Sequence, residues 1–459
     1  MKVLLLNPPG ERPYIRDNYC SYSSKANYYW EPIDLLVQSG RLGGHSLEVL
    51  DAIAFRLSQE SVLSKVRDGG YDAVLSLIGS VSYAEDSELF RKMREVSKAR
   101  IAVSGDICLQ SSEKLLNECP EIDAAVLDYT TPDLARFLAE GGQGRPFQGL
   151  AYREGGHIVP AQPGDREETM SYPVPRHELF PLRRYRISTS ISKKFVTCIA
   201  SQGCNFNCPF CICSVMKLKL RGIDNLLEEL HRVKALGVSD IYFYDPNFTV
   251  RRTRCLEMLQ AVIDVRLGIS FSCNSHITVD QDVIAKLKEA GCHTIMFGIE
   301  NADDSILKQY SKGITRNRIR ETLASCRGLG LRTFGYFLIG LPGETEQTIR
   351  ETIDFATELP LNFASFNLPS PVEGTGLYAE AKKAGVLKEA GRTLDRSNEV
   401  SITLPGMSEQ RLLDLKRSAY RRFYLRPRFL LSSFRDLYPL SKWNYLIADL
   451  WAFARRNFF

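Results

Sequence analysis

The chain has 459 residues, 44% of them hydrophobic and 25% charged, with a net charge of +5. At roughly 150 residues per domain this length predicts two or three domains with real cores, and the composition excludes collagen-like, low-complexity and disordered chains. No run of about 18 apolar residues occurs, so no spanning helix is expected. The first apolar stretch, Val3 to Leu6, is too short for a signal peptide and meets Asn7-Pro8-Pro9 at once, so a cytoplasmic protein is expected. In a reduced compartment the twelve cysteines point to metal or redox chemistry rather than disulfides.

Residues 1–140 read as a doubly wound α/β unit. Lys2–Asn7, His45–Ala52, Asp72–Gly79, Ala99–Gly105 and Asp123–Asp128 are short apolar runs ending at turn-prone residues. Helical patterns such as Ser61–Asp68 and Ala84–Lys98 lie between them, an alternation that predicts a parallel sheet. Ligands of such sheets sit at the strands' carboxyl ends, which here carry Asn7, Asp51, Gly79-Ser80, Ser104-Gly105-Asp106 and Asp128-Tyr129. Residues 141–193 read as a connector containing a small hairpin with a Gly-Gly turn, YREGGHIV, and prolines too dense for a long helix.

From 194 to about 375 the alternation resumes. Strands are expected over Phe195–Ala200, Asp240–Tyr244, Ser270–Asn274, Thr294–Ile299, Thr333–Ile339 and Phe363–Leu368. Helices are expected over Asp224–Leu236, Thr253–Val265, Asp280–Ala290, Arg316–Leu329 and Glu344–Leu359. Six strand–helix steps predict a partial (β/α)6 barrel. Residues 376–459 read as a helical extension. From Lys416 onward it holds ten Lys/Arg against two Asp/Glu and twelve of the chain's aromatic residues. SKWNYLIADLWAFARR reads as an amphipathic helix capped by Ser441, with Trp443, Leu446, Ile447, Leu450, Trp451 and Phe453 on offer to an anionic membrane. Packing on the barrel is the plainer reading of this tail. Nucleic acid is disfavoured, because the stretch is rich in aliphatics such as Leu430 and Leu431.

Directly after the first strand of the second unit comes SQGCNFNCPFCIC, in which Cys204, Cys208 and Cys211 are spaced C-x3-C-x2-C. Three thiolates this close can hold three irons of one [4Fe–4S] cube and leave the fourth iron open for chemistry. A zinc knuckle completed by Cys213 is the alternative for these residues.

With that motif at a strand's carboxyl end, residues 195 to about 375 resemble a radical S-adenosylmethionine (SAM) enzyme. The resemblance implies that SAM binds the open iron, and that an electron from the cluster cleaves it to methionine and a 5′-deoxyadenosyl radical that abstracts hydrogen. It implies an external electron donor such as flavodoxin or ferredoxin. In IYFYDPNFTVRRTR, Asp245 stands where a polar residue meets the SAM ammonium group; a solvated turn is the plainer reading. In FGIENADD, Glu300 follows an apolar strand and is placed to accept hydrogen bonds from the SAM ribose or ammonium. In GYFLIGLPGET, Gly340 allows backbone to approach the adenine. Ser272 and Asn274 close the third strand and point toward SAM, or equally to solvent.

A doubly wound domain ahead of such a barrel resembles the cobalamin-binding subfamily. KVLLLNPP, VSGD and PEIDAAVLDYTTPDLARFL follow its pattern in order, and Ser80, Gly105 and Asp106 are the candidate cobalamin contacts. No Asp-x-His-x-x-Gly occurs, since Asp51 is followed by Ala52 and Ile53, so binding would proceed without a protein histidine. These features imply cobalamin-assisted methylation or rearrangement of an unactivated carbon. The basic tail, shared with the subfamily's lipid-modifying members, adds the expectation of a hydrophobic or lipid substrate and of peripheral contact with the inner face of the membrane. Three readings compete with this one. The cobalamin domain is a remnant beside a hydrogen-abstracting barrel; the chain is a methylthiotransferase-like RNA-modifying enzyme; or it is a non-catalytic, cluster-bearing membrane scaffold.

Overall fold

The computed structural model describes all residues except 143–145, 163–168, 311–312, 389–394, 396, 398, 428, 430–452 and 458–459. It divides into two compact units. One holds Met1–Ser24, Tyr29–Tyr185 and Gly391–Asp395; the other holds Lys25–Tyr28, Arg186–Ala390 and Arg396–Phe459.

The first unit is built on a seven-stranded sheet: β1 (Lys2–Asn7), β2 (Ser46–Asp51), β3 (Ala73–Leu77), β4 (Arg100–Ser104), β5 (Ala124–Val126), β6 (Leu150–Glu154) and β7 (His157–Val159). Their spatial order is β2-β1-β3-β4-β5-β6-β7. The first five are parallel, and β1 and β3 are buried along nearly their whole length, which is why they read as unbroken apolar runs. The order reverses between β1 and β3, so the switch point lies at Asn7–Pro9 and Ile78–Ser80. The hairpin expected inside the connector exists, turning at Gly155 (φ +57°) and Gly156 (φ +85°). It is no free-standing piece, because β6 pairs antiparallel with β5 and carries the first sheet on. Two elements departed from the expected pattern. Helix Ile33–Arg41 is buried from Ile33 to Gly40, polar Asp34, Gln38 and Ser39 included, so its polar face is buried as well as its apolar one. A short hairpin, Tyr14–Arg16 with Ser21–Ser23, fills the stretch after β1.

The second unit has six parallel strands in sequence order: β8 (Phe195–Cys198), β9 (Asp240–Phe243), β10 (Ser270–His276), β11 (Cys292–Glu300), β12 (Arg332–Leu338) and β13 (Phe363–Asn367). β8 and β13 are its two edges, so the barrel is open. The intervening helices match the expected ones to within two residues. Helix Glu409–Tyr424 covers the β13 edge: Tyr420 Oη bonds both Phe366 N and O (3.1 and 3.0 Å), and Tyr424 Oη bonds Ala364 N and O (3.1 and 2.7 Å). Phe423, Phe429 and Phe453 pack on these tyrosines, so five of the tail's twelve aromatics belong to an internal cluster. The expected membrane set from Trp443 to Trp451, with its Ser441 cap, lies outside the described residues. Among the described residues no helix is long and apolar enough to cross a membrane.

Candidate functional site

The cysteine loop leaves β8 at its carboxyl end. Cys204, Cys208 and Cys211 are all partly exposed, and none is in a disulfide. The backbone turns sharply there: Cys211 N donates to Cys208 O at 3.0 Å, and Ile212–Ser214 forms a 3-10 turn. Phe206 N donates to Cys204 Sγ at 3.5 Å. Burial pushes the Cys204 thiol up, and a charged Cys211 would push it further. The Cys204 and Cys211 thiols thus oppose each other's ionisation, and with Cys208 on the same tight turn they form a three-sulfur donor set that fits an iron–sulfur cluster.

The residues around the loop take distinct roles. Glu300 ends β11 at a register shift and holds φ +64°, a conformation that costs a non-glycine residue roughly 1–2 kcal/mol. Burial, and then Cys211, raise its carboxyl to about 8. A strained, part-neutral carboxyl at the barrel mouth is the profile of a functional group. Asp245 follows β9 but faces the protein: its carboxylate accepts from Ala200 N at 3.0 and 3.1 Å and from Ser201 Oγ at 2.6 Å, and burial raises it to about 6. Asn274 Nδ2 donates to Asp245 O at 2.9 Å, bracing the same turn. Ser272 lies in mid-strand, since β10 continues to His276, and its hydroxyl is 3.5 Å from that of Thr189. Gly340 has φ +98°, but a side chain there would meet Leu412 at 2.8 Å, so its openness accommodates helix Glu409–Tyr424.

Two residues escaped the sequence reading. His276 stacks on Phe206, with ring centroids 3.8 Å apart and planes at 10°. Glu344, buried, accepts from Gly340 N, Leu341 N and Asn301 Nδ2 at 2.6–2.7 Å, and burial raises it to about 7. Two glycines and a proline just before the Glu, in GLPGET, were its only signal.

In the first unit the three candidate residues meet. Ser80 donates through N and Oγ to the Asp106 carboxylate at 2.9 and 2.6 Å. Gly105 has φ +149°, and a Cβ there would lie 1.8 Å from Ile78 O. At the same carboxyl edge Asn7 bonds Asp51 at 2.9 Å and Ser104 bonds Asp34. Asn18 Oδ1, Ser21 Oγ and Gln38 Oε1 are buried beside this edge without a hydrogen-bond partner. Asn18 and Gln38 are tied to Leu127 O and Tyr129 O beyond β5, while Ser21 presses on Gly79. Orphaned buried polar atoms cost roughly 1–3 kcal/mol each, and they fit a ligand with its own amides or hydroxyls, as a corrinoid has. No histidine occurs in the edge segments 7–24, 51–57, 78–83, 104–107 or 127–131.

Comparison with known proteins agrees with this geometry. Residues 198–356 match the model of the radical SAM superfamily. The chain is 27% identical over 443 residues to a Pyrococcus horikoshii protein named uncharacterized methyltransferase PH0819, covering 94% of both. It is 25% identical over 487 residues to the anaerobic magnesium-protoporphyrin IX monomethyl ester cyclase of Rubrivivax gelatinosus, covering all of this chain and 83% of that one. Its fold is similar to that of the radical SAM methyltransferase TsrM of Kitasatospora setae, solved with cobalamin and a [4Fe–4S] cluster, at a TM-score of 0.69 and 17% identity, over 93% of this chain and 89% of the other. Residues 198–356 thus carry a radical SAM domain. In its fold, as in that of TsrM, a doubly wound α/β unit comes before this domain in the chain.

Proposed function

We propose that the protein is a cobalamin-dependent radical SAM methyltransferase acting on an unactivated carbon. The observation that carries this reading is the joint presence, in one chain, of the three-thiol loop and a doubly wound sheet whose carboxyl edge holds orphaned polar atoms. When bound, the cluster and SAM supply one-electron cleavage chemistry and the corrinoid supplies methyl carriage. Cys204, Cys208 and Cys211 would hold the cluster. Glu300 would accept hydrogen bonds from SAM once ionised, a change that its environment delays until donors arrive. Ser21, Asn18 and Gln38, with the Ser80–Asp106 pair, would hold the corrinoid without a histidine, and Gly105 would let its loop pack against Ile78 beneath them. Ring closure, the reaction named for the Rubrivivax gelatinosus relative, is the second reading, and that relative's match over the whole of this chain favours it.

The substrate class is open between small molecules of different polarity. TsrM has been solved with tryptophan as its substrate. The lipid expectation leaned on tail residues, and the described tail aromatics are engaged in packing on β13. The test is anaerobic reconstitution with iron, sulfide and hydroxocobalamin, followed by desalting and cofactor analysis. Retention of both cluster and corrinoid, with a spectrum lacking histidine coordination, is expected. Retention of the cluster alone would withdraw methyl transfer and leave hydrogen abstraction.

A further inference from the structure

The loop that carries the three cysteines has a thin neck. Among the described residues its two sides pair with each other at two positions, Ser201 with Leu220 and Gln202 with Lys219. A ladder this short is marginal by itself, and closing a long loop costs entropy. The spacing of three thiols therefore depends on what holds the neck.

Both strands of the neck are nailed to the barrel by buried charge. On the outgoing strand, Asp245 is fully buried and directs both oxygens at Ala200 N, with Oδ1 also taking the Ser201 hydroxyl. On the returning strand, Arg221 is fully buried. Its backbone N donates to Ala200 O at 2.9 Å. Its guanidinium pairs with Glu229 and donates to Asn225 Oδ1 at 2.8 Å, Asn225 O at 3.1 Å and Ile199 O at 3.3 Å. Glu229 also accepts from Cys198 Sγ at 3.2 Å, and Arg254 donates to Arg221 O. Inside the neck Gly203 has φ +74°, and a Cβ there would lie 2.3 Å from Lys217 O, so the two sides approach too closely for any side chain.

We propose that Asp245, together with the Arg221–Glu229 pair, is a positioning element that sets the cysteine loop, and that Asp245 is not a contact for SAM. The inference rests on the radical SAM reading of the loop. Asp245 acts through Ala200 and Ser201, three to four residues before Cys204. Loss of its carboxylate frees the neck, lets the thiol spacing wander, and lowers cluster occupancy before any effect on SAM.

The test uses full-length protein, D245A, D245N and S201A. The first readout needs no cofactor: trypsin cleavage of apo-protein at Lys217, Lys219 and Arg221, which tracks opening of the loop when reclosing is fast. D245A is expected to cut there about tenfold faster, an opening cost of roughly 1.4 kcal/mol. It should hold less than about half the wild-type iron after reconstitution. D245N, which keeps one acceptor for Ala200 N, is expected to return both readouts to within about twofold of wild type, with unchanged SAM affinity on the loaded cluster. S201A should fall between them. Wild-type iron and cleavage in D245A would overturn the proposal. So would D245N with a full cluster and SAM binding weakened about tenfold or more, which would put Asp245 on SAM. If D245A unfolds altogether, cut throughout the chain, D245N and S201A carry the comparison alone. If wild type itself takes up no iron, the radical SAM reading fails, while cleavage of the apo-protein still decides the anchor.

Discussion

The two carboxyl edges of this protein treat their polar groups differently. At the first sheet, strand-end residues spend their hydrogen bonds on one another: Asn7 on Asp51, Ser80 on Asp106, Ser104 on Asp34. Arg16, fully buried, adds a strap that uses Asp86, Ser82, Pro8 O and Pro9 O to hold the Tyr14–Ser23 hairpin against that edge. At the barrel mouth the bonds of Asp245 and Asn274 are spent on loops instead, beside three part-exposed thiols and a strained Glu300. On the proposed reading, one edge is a closed frame with a few orphaned atoms for a large carrier cofactor, and the other is a braced opening for a cofactor that must react. That contrast would follow from chemistry, because a carrier cofactor needs a fixed seat whereas a cleavable one needs an open coordination position.

The contrast breaks most sharply at the cysteines. Changing Cys204, Cys208 or Cys211 to Ala is expected to abolish cluster absorbance and SAM turnover, whereas Cys213→Ala, a buried thiol two residues past the last of the three, should spare both. Full activity in Cys208→Ala would remove the cluster from this loop. Next in size, Arg16→Ala should destabilise the first unit by about 3–5 kcal/mol, because it strands the buried Asp86 carboxylate. Denaturant unfolding measures this, and a change below about 1 kcal/mol would show that the strap is ornamental.

Much of this layout was legible in the sequence, and the misses have physical causes. Strands such as Lys2–Asn7 and Ala73–Leu77 appear as apolar runs, because strands buried on both faces cannot alternate, whereas Ser270–His276 and Arg332–Leu338 mix polar and apolar residues and are marked by their place in the strand–helix alternation. The thiol motif needed no structure. Asp245 was legible as a functional position but not in its role: an acidic residue after a strand looks the same whether it faces a ligand or a neighbouring amide. Gly340 was read as room for adenine, yet its space is taken by Leu412, which lies over 70 residues further along the chain. Helix Ile33–Arg41 was hidden because its buried face includes polar groups that pair across the fold, as Asp34 does with Ser104.

Smaller effects sharpen the comparison. Glu300→Gln should leave the cluster intact and weaken SAM binding by roughly 1.5–3 kcal/mol, since it removes a charge-assisted acceptor. Titration of SAM into loaded enzyme measures it, and an unchanged affinity would take Glu300 out of the site. In the first unit, burial raises Asp34 to about 8 from an ordinary value of 3.8. Below pH 4 folded and unfolded chains both hold the proton and the residue is neutral to stability. From there to about pH 8 the folded chain holds a proton that the unfolded chain has lost, so stability falls as pH rises, by up to about 1.4 kcal/mol per pH unit. Asp34→Asn should flatten that slope in denaturation curves taken from pH 5 to 8. Parallel slopes in the two proteins would show that Asp34 is ionised throughout.

On the proposed reading, three thiols of one loop hold a cluster with an iron open to SAM. The most direct measurement is electron paramagnetic resonance of the anaerobically reconstituted, dithionite-reduced protein with and without SAM. The expected result is a reduced-cluster signal that requires Cys204, Cys208 and Cys211 together and changes shape when SAM is added. A cluster signal indifferent to SAM, or one that survives loss of any of the three cysteines, would contradict it.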